Sequence, residues 1–256
     1  CQAVRDIFRS IDWECEVHTN YREINIGMQP HWRLAMDWFF EHVDAGIILE
    51  DDCVPDTSFL SFSKELLEKY KDNENVMHIN GSNFQFGKKR GEASYYFSKY
   101  PSSWGWATWK RAWQRYNNTI LDFPEFMKKN MLDTFVTSKK EKRFWMKMLS
   151  ELASGKQDGC DTKWAYAIWS HDGICITPNV NMIRNIGFGS TAGHTILKDR
   201  SLDQDPLNIG KIIHPTQDLF AQNKGADAFT FKIIFHRNFF QKVKYVVAVK
   251  LVKILK

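Results

Sequence analysis

The stretch "GIILEDDCVPDTSF", residues 46–59, decides how this chain is expected to fold. Residues 47–49 form a short continuous apolar run, which is typical of a strand buried on both faces. Three consecutive acids, residues 50–52, follow the run directly, and Pro55 and Asp56 then turn the chain. The pattern predicts a buried strand that ends in carboxylates and leads into a helix.

The flanking sequence extends this unit in both directions. Before the strand, "HWRLAMDWFFEHV", residues 31–43, places apolar side chains at helical spacing. After the acids, residues 58–70 read as a second amphipathic helix, which Asp56, Thr57 or Ser58 can cap, and residues 76–80, "VMHIN", read as the next strand. This alternation predicts an α/β fold with a mostly parallel central sheet flanked by helices.

Composition limits the remaining possibilities. The chain has 256 residues, of which 43% are hydrophobic and 25% are charged, as expected for one large domain with a small appendage. Its five cysteines are scattered without CxxC spacing, which argues against a disulfide framework or a zinc ribbon and favours a reducing compartment. We find no signal peptide and no apolar run long enough to span a bilayer.

Positive charge is concentrated at the C-terminal end. The net charge is +5, yet residues 231–256 hold six lysines, one arginine and no acid, so the rest of the chain is slightly negative. A body-wide nucleic-acid surface is therefore not expected. Apolar residues alternate with lysine at near-helical spacing in this tail, which predicts either an interfacial helix on an anionic membrane or a solvated terminal helix.

The acidic triplet has two readings at this stage. In an α/β sheet, ligands bind beyond the carboxyl ends of the strands, where residues 50–52 are expected. Adjacent carboxylates repel one another unless they are hydrogen-bonded, protonated or bound to a cation, and Mg²⁺ and Mn²⁺ prefer carboxylate oxygen. The triplet is either a divalent-metal site or a solvated loop before a capped helix.

Several motifs together resemble one enzyme family. The stretch at residues 46–62 resembles the acidic metal-nucleotide motif of GT-A glycosyltransferases, in the Glu-Asp-Asp form of the N-acetylglucosaminyltransferase I type and its bacterial sugar-nucleotide transferase (hemolysin-like) relatives. The helix at 31–40 is similar to the one that precedes this motif. "YPSSWGWATWKRAW" (100–113), "CDTKWAYAIW" (160–169) and "ICITPNVNMIRNIGFGSTAGHT" (174–195) resemble later family segments in the same order.

The resemblance implies a domain layout. Residues 1–200 would form a GT-A catalytic domain, residues 201–230 a connecting segment, and residues 231–256 a basic amphipathic helix. The family's fold begins with a strand and loop that hold the nucleotide base, ahead of the first helix found here. We therefore expect a GT-A domain without its first strand.

The resemblance also implies roles for the acids. Asp52 corresponds to the acid that ligates a divalent ion, usually Mn²⁺ and alternatively Mg²⁺. Asp51 would act through water or hold the ribose, and Glu50 would bind the nucleotide side. His194 is a further metal candidate, because several GT-A enzymes place a late histidine near the metal or diphosphate, although a loop histidine is more often structural.

A general base is needed to deprotonate the acceptor hydroxyl in an inverting transfer. Asp161 matches the family's catalytic aspartate, and Asp158 is the second candidate. Asp161 could instead serve as an N-cap of the helix that it begins.

Two further groups of residues are candidates for substrate contacts. Trp104, Gly105 and Trp106 could contact a sugar or the acceptor, because indole faces suit sugar C–H surfaces, or could belong to a core cluster with other tryptophans. Asn25 and Gly27 could edge the nucleotide pocket or form an ordinary turn.

These observations predict an inverting, metal-dependent glycosyltransferase that uses a nucleotide-diphosphate sugar. Its acceptor would be a glycan, a lipid-linked saccharide or a cell-surface polysaccharide. The expected location is the cytoplasm, with peripheral contact at the inner face of the membrane. A non-catalytic binding module and a carboxylate-metal phosphohydrolase are the alternative functions.

Overall fold

The computed structural model of the chain describes residues 2–187, 204–216 and 221–236. Within these ranges the helices are α1 Gln2–Ile7, α2 Met28–His42, α3 Ser58–Lys69, α4 Lys110–Trp113, α5 Phe123–Lys128, α6 Met131–Phe135, α7 Lys139–Ala153, α8 Cys160–Ser170 and α9 Lys224–Thr230. The strands are β1 Ala45–Ile48, β2 Cys53–Pro55, β3 Val76–Asn80, β4 Tyr95–Ser98, β5 Trp106–Trp109, β6 Ile174–Pro178 and β7 Ile183–Asn185. One 3-10 turn, Phe8–Ser10, follows α1, and one π-helical turn, Phe231–Phe235, follows α9.

The central sheet is mixed. Its five strands have the order β1-β5-β3-β6-β4, and only the pairing of β3 with β6 is parallel. The α/β class is confirmed, whereas the prediction of a mostly parallel sheet is wrong. Two strands that run against the others, β4 and β5, account for the difference.

The spacing of the tryptophans in "GWATWKRAWQRY", residues 105–116, predicts a short helix, but the structure forms strand β5 in its first part. Residues 106–109, "WATW", instead lie between β1 and β3 and pair with both, and all four are buried. Their aromatic and β-branched side chains suit a strand covered on both faces, and this tertiary pairing outweighs the helical spacing of the tryptophans. Only the short α4 that follows is helical.

Strand direction brings several loops to one edge of the sheet. Because β5 is antiparallel to both β1 and β3, and β3 is parallel to β6, strands β1, β3 and β6 all point the same way. Their carboxyl ends and the start of β5 therefore meet at one edge. At this edge the amide of Gly81 donates to the carbonyl of Gly105 over 2.8 Å. The acids that follow β1 lie at the same edge.

A small second sheet fixes the chain after the acids. Strand β2 pairs antiparallel with β7, so that Cys53 faces Asn185. Beyond this pair, the amide of Ile186 donates to the carbonyl of Asp52 over 2.8 Å. The side chain of Asp56 accepts from the amide of Ser58, the first residue of α3, over 2.8 Å, whereas the N-cap residue Thr57 makes no side-chain cap bond.

Helices cover both faces of the sheet with separate apolar clusters. On one face, Phe59, Phe62 and Leu66 of α3 are fully buried against the sheet. On the other face lies a larger cluster that is rich in aromatic side chains. Helices α2 and α4 to α8 contribute to it, with Trp164 and Trp169 of α8 among their residues, and the sheet contributes Trp106 of β5. Strand β3 runs between the two clusters and is buried along its whole length.

The C-terminal described residues pack onto this body. Within the predicted connecting segment 201–230, Asn223 donates its amide to the carbonyl of Phe97 over 2.8 Å, and α9 follows. Of the predicted helix at 231–256, residues 231–235 form the π-helical turn, whose Phe231 is buried in the core, and residues 237–256 lie outside the described ranges. Among the described helices, none has the length and apolar character needed to cross a membrane.

Asp227 anchors α9 through a buried network. Its Oδ1 accepts from Ser98 Oγ over 2.6 Å, and its Oδ2 accepts from the Lys99 amide over 2.9 Å and from Gln222 Nε2 over 2.7 Å. Asp227 is 0% exposed. Burial raises the pKa of this carboxyl from 3.8 to about 6, although the three hydrogen bonds act in the opposite direction.

This shift predicts a pH-dependent stability. An acid whose pKa is raised by folding stabilises the native state fully below its ordinary pKa, and that contribution is lost as the pH rises through the folded value. We expect wild-type stability, relative to Asp227→Asn, to fall on the order of 3 kcal/mol between pH 4 and pH 7. The asparagine can keep all three bonds if its amide group faces Ser98 Oγ. Urea unfolding across this pH range tests the prediction, and parallel pH profiles for the two proteins would contradict it.

Candidate functional site

The acidic triplet lies where the sequence predicted it, directly after β1 at the carboxyl edge of the sheet. Glu50 and Asp51 are exposed, whereas Asp52 is half-buried. Side-chain ligand atoms of Glu50, Asp52 and Cys53 all lie within 4.8 Å of one another. The structure thus brings two of the three carboxylates together beside a thiol.

The thiol of Cys53 belongs to the support of this group. Its Sγ donates to Asp52 Oδ1 over 3.5 Å. Burial, together with the charge of Asp52, raises the pKa of Cys53 to about 12, so the group stays a neutral thiol at physiological pH. A metal ligand must be a thiolate, and hard divalent cations prefer oxygen. The donor set is therefore the carboxylates of Glu50 and Asp52.

The electrostatics of Glu50 favour a cation at this place. Loss of solvent, and then the charges of Asp161, Asp52 and Asp51, raise the pKa of Glu50 to about 7. A divalent cation between Glu50 and Asp52 would offset this repulsion and would meet only oxygen ligands. The residues present therefore fit Mn²⁺ or Mg²⁺.

Gly187 completes the surroundings of Asp52. An ideal Cβ atom at position 187 would overlap Oδ2 of Asp52. The amide of Gly187 donates to Asn185 Oδ1 over 2.8 Å, which holds this end of the chain in place after β7. A side chain at position 187 would therefore displace the carboxylate of Asp52.

Asp161 approaches the acids from a separate element, the first turn of α8. Its negative charge raises the pKa of Glu50 more than the charge of Asp52 or Asp51 does, so the two carboxyls interact electrostatically, although Asp161 is not part of the group whose ligand atoms lie within 4.8 Å of one another. Ser103 Oγ donates to Asp161 Oδ2 over 3.5 Å. The N-cap of α8 is Gly159, not Asp161, and it has no side-chain cap. The structure therefore does not support the N-cap reading, and the carboxylate of Asp161 is exposed at the sheet edge.

Asp158, the second candidate base, is engaged elsewhere. Its Oδ1 forms an ion pair with Lys163 Nζ at 2.5 Å and accepts from the amide of Gly159 over 2.9 Å. Lys163 also donates to Asn118 over 3.1 Å. These bonds tie Asp158 to the side of α8, which leaves Asp161 as the better-placed base.

A buried chain of hydrogen bonds positions α8 against the loop at 100–104. Trp164 Nε1 of α8 donates to His78 Nδ1 over 3.0 Å, and His78 Nε2 donates to Asn80 Oδ1 over 2.9 Å. The same Asn80 oxygen accepts from the amide of Ser102 over 2.7 Å. Burial lowers the pKa of His78 to about 3, so the ring is neutral and can accept at one nitrogen while it donates at the other.

Sequence reasoning missed this positioning chain. The available signal was the pair of polar residues, His78 and Asn80, in an otherwise apolar strand that was predicted to be buried. A buried polar side chain requires hydrogen-bond partners, and here those partners set the distance between α8 and the loop.

The three candidate substrate contacts at 104–106 have different surroundings. Gly105 has a φ of +59°, and a Cβ there would lie 2.5 Å from Ile183 Cδ1, so the tight backbone that glycine permits is confirmed. Trp106 is 1% exposed and stacks on His78 with ring centroids 5.0 Å apart. The prediction that Trp106 contacts substrate is therefore wrong. Its ring belongs to the core, because neighbouring rings cover its faces. Trp104 is half-buried, with its ring 5.6 Å from that of Phe84.

A cavity of about 240 Å³ opens beside Asp161. Trp104 and Ser103 form part of one wall, and the C-terminal turn contributes Ile234 and Phe235 to another. Asp161 therefore both lines this cavity and interacts electrostatically with Glu50 of the acidic group after β1.

The remaining candidates lie away from this centre or outside the described residues. Asn25 Oδ1 accepts from the amide of Gly27 over 2.8 Å, and Gly27, at a φ of +83°, precedes α2. Both are exposed and form a turn, and contact with a nucleotide stays a prediction. Met28 Sδ lies 4.0 Å from Cys160 Sγ, so this turn adjoins the start of α8. His194 lies outside the described residues.

The contact between Gly187 and Asp52 yields a direct test. We expect Gly187→Ala to weaken Mn²⁺ binding at least about tenfold, because its methyl group displaces the Asp52 carboxylate. Gly159→Ala is the matched control, since its Cβ would meet nothing closer than 3.5 Å. Isothermal titration with Mn²⁺ measures the affinity, and thermal unfolding monitors the fold. Equal Mn²⁺ affinity for Gly187→Ala and wild type would contradict a metal at Asp52.

Neither a protein-family model nor a curated protein matches this sequence. The resemblance to GT-A glycosyltransferases therefore stands on the motifs quoted above. Function is inferred from these motifs and from the geometry of the site.

Proposed function

We propose that the chain is an inverting, metal-dependent glycosyltransferase with a GT-A fold that uses a nucleotide-diphosphate sugar. The observation that carries this proposal is the meeting of Glu50, Asp52 and Asp161 at one edge of the sheet. These acids come from two separate elements, the end of β1 and the start of α8. A metal-holding pair on one side and a base on the other is the arrangement that an inverting transfer requires.

Glu50 and Asp52 would hold Mn²⁺ or Mg²⁺. When bound, the ion supplies positive charge that stabilises the diphosphate leaving group. Asp51 is exposed next to this pair, a position suited to a contact through water or with a ribose hydroxyl. Because residue 187 is a glycine, no side chain at that position displaces the carboxylate of Asp52.

Asp161 takes the proton of the acceptor hydroxyl in this proposal. Its exposed carboxylate lines the cavity, so a hydroxyl that enters from the cavity reaches it directly. The chain Trp164–His78–Asn80 holds α8, and with it Asp161, at a fixed distance from the loop that carries Ser103. A base held in this way loses little entropy when the acceptor binds.

The basic tail adds a location to the proposal. The predicted amphipathic tail would lie on an anionic membrane surface and bring the enzyme to a lipid-linked or cell-surface glycan. Its first residues, the turn Phe231–Phe235, instead pack on the body through Phe231, so a membrane contact would belong to the residues that follow.

The phosphohydrolase alternative has less support. Such enzymes commonly use two metals with additional Asp and His ligands. In residues 2–187, 204–216 and 221–236, the metal-capable group found is Glu50, Asp52 and Cys53, and its thiol is neutral at physiological pH. A single cation with two carboxylates matches a nucleotide-sugar site better, because the substrate's phosphates complete the coordination.

The test is Mn²⁺-dependent hydrolysis of a panel of nucleotide sugars, followed by transfer to acceptors. We expect Asp52→Asn to lower hydrolysis and transfer by about 10²-fold or more, because it removes a metal ligand. Asp161→Asn should lower transfer by about 10²- to 10⁴-fold while Mn²⁺-dependent nucleotide binding persists.

Asp158→Asn is the matched control, since it removes a neighbouring carboxyl that pairs with Lys163. Its transfer rate should stay close to that of wild type. If no nucleotide sugar binds or reacts in the presence of Mn²⁺, the glycosyltransferase proposal is wrong. Phosphate release without any nucleotide sugar would favour the phosphohydrolase instead.

A further inference from the structure

We propose that the cavity beside Asp161 binds the terminal sugar ring of the acceptor and selects a neutral ring over an anionic one. This inference rests on the proposed function and adds to it the chemical class of the acceptor. The cavity has a volume of about 240 Å³ and includes Asp161 in its lining. A ring held there presents a hydroxyl to the carboxylate that would accept its proton.

Hydroxyl groups from three elements supply the polar part of the lining. Ser82 Oγ and Ser102 Oγ are 2.7 Å apart, and Thr230 Oγ1 accepts from Gln85 Nε2 over 2.8 Å. Each serine or threonine hydroxyl can both donate and accept, as can each hydroxyl of a sugar. A polyol therefore finds partners of both kinds, in addition to the hydrogen bonds that these hydroxyls already make within the protein.

Aromatic side chains supply the apolar part. Phe84 and Trp104 pack edge to face with centroids 5.6 Å apart, and Tyr100 lies 5.3 Å from Phe235 across the end of the cavity. Such surfaces suit the C–H face of a pyranose ring. Hydroxyls and aromatic rings in one enclosed space indicate a saccharide ring rather than a phosphate or a hydrocarbon chain.

The charge of the lining decides between neutral and ionic sugars. Among the described residues that line the cavity, Asp161 has the sole charged side chain. A uronate or another anionic ring would place a second carboxylate beside it in a half-enclosed space, where like charges repel strongly. An ammonium group would instead pair with Asp161 and compete for the carboxylate that must take the proton. A neutral ring avoids both costs.

The C-terminal turn makes this cavity dependent on the end of the chain. Ile234 and Phe235 line it, and Thr230 at the end of α9 contributes its hydroxyl. Ile233, on the same turn, is not part of the lining. Both isoleucines are half-buried on one turn, and Ile234 lines the cavity whereas Ile233 does not, which provides a matched pair for experiment.

The first experiment measures binding without any chemistry. Matched pairs of p-nitrophenyl glycosides and their uronides, in the gluco and galacto series with the N-acetylglucosaminide added, are titrated into the full chain by saturation-transfer NMR. We expect a neutral glycoside to bind at least about tenfold more tightly than its uronide. Uronides that bind as tightly as their neutral partners overturn the proposal, as does a panel in which no neutral glycoside binds.

The second experiment places the binding in the cavity. Ile234→Trp should weaken glycoside binding at least about tenfold, because the larger side chain fills the space, whereas Ile233→Trp should leave it within about twofold. Phe84→Leu and Phe86→Leu form a second pair, in which each substitution changes little volume. Phe84 lines the cavity, whereas Phe86 is exposed and lies outside it. Equal affinities within both pairs would place the glycoside elsewhere and overturn the proposal.

The two proposals fail in different ways. Mn²⁺-dependent hydrolysis of nucleotide sugars, measured without acceptor, reports on Glu50 and Asp52, which do not line the cavity. A protein that binds neutral glycosides and leaves every nucleotide sugar intact keeps the cavity site and loses the transferase function. A protein that hydrolyses a nucleotide sugar but shows no effect of Ile234→Trp keeps the transferase function and loses the cavity site.

Discussion

The carboxamide of Asn80 makes four hydrogen bonds, and the geometry of the sheet edge depends on them. Its oxygen accepts from His78 Nε2 and from the amide of Ser102, and its nitrogen donates to the carbonyl of Tyr100 and to Thr177 Oγ1. These partners belong to β3, β6 and the loop that enters β5. A buried amide with all of its bonds satisfied tolerates little displacement, so it fixes these segments relative to one another.

The rigidity of this sheet edge explains how the fold tolerates several carboxylates that repel one another. Glu50 and Asp52 lie near Asp161, and the resulting repulsion and desolvation raise the pKa of Glu50 to about 7. A fold selected for stability alone would separate these charges. The rigid edge holds them together, and His78 stays neutral behind them because burial lowers its pKa to about 3. A bound cation would offset this repulsion between the carboxylates, so the unfavourable electrostatic energy of the site is consistent with its proposed ligand.

The local sequence predicts the parts of this site that follow from one strand. The strand at the apolar run and the acids after it could be placed because a short apolar run and its carboxyl end are local patterns. The prediction that this strand is buried on both faces is wrong, because β1 lies at the edge of the sheet and its residues are half-buried. Strand β5 could not be placed, because its assignment depends on pairing with β1 and β3, which are distant in sequence. For the same reason Trp106 looked like a substrate contact, although its ring stacks on His78 in the core. The positioning role of His78 and Asn80 could not be predicted either, because it depends on hydrogen-bond partners that are distant in sequence.

The C-terminal helix ties the stability of the fold to the shape of the cavity. Asp227 fixes α9 to β4 through Ser98, and one turn further on, Thr230 reaches the cavity with its hydroxyl. Loss of the buried Asp227 network would therefore release a wall of the cavity without touching Asp161 or the acids after β1. Because the wall and the acids are held by different contacts, acceptor binding and metal binding are expected to respond separately to substitutions in the two networks. Under the proposed function, the acceptor that the cavity recognises can therefore change through substitutions in α9 and the turn after it, while the acids after β1 stay the same.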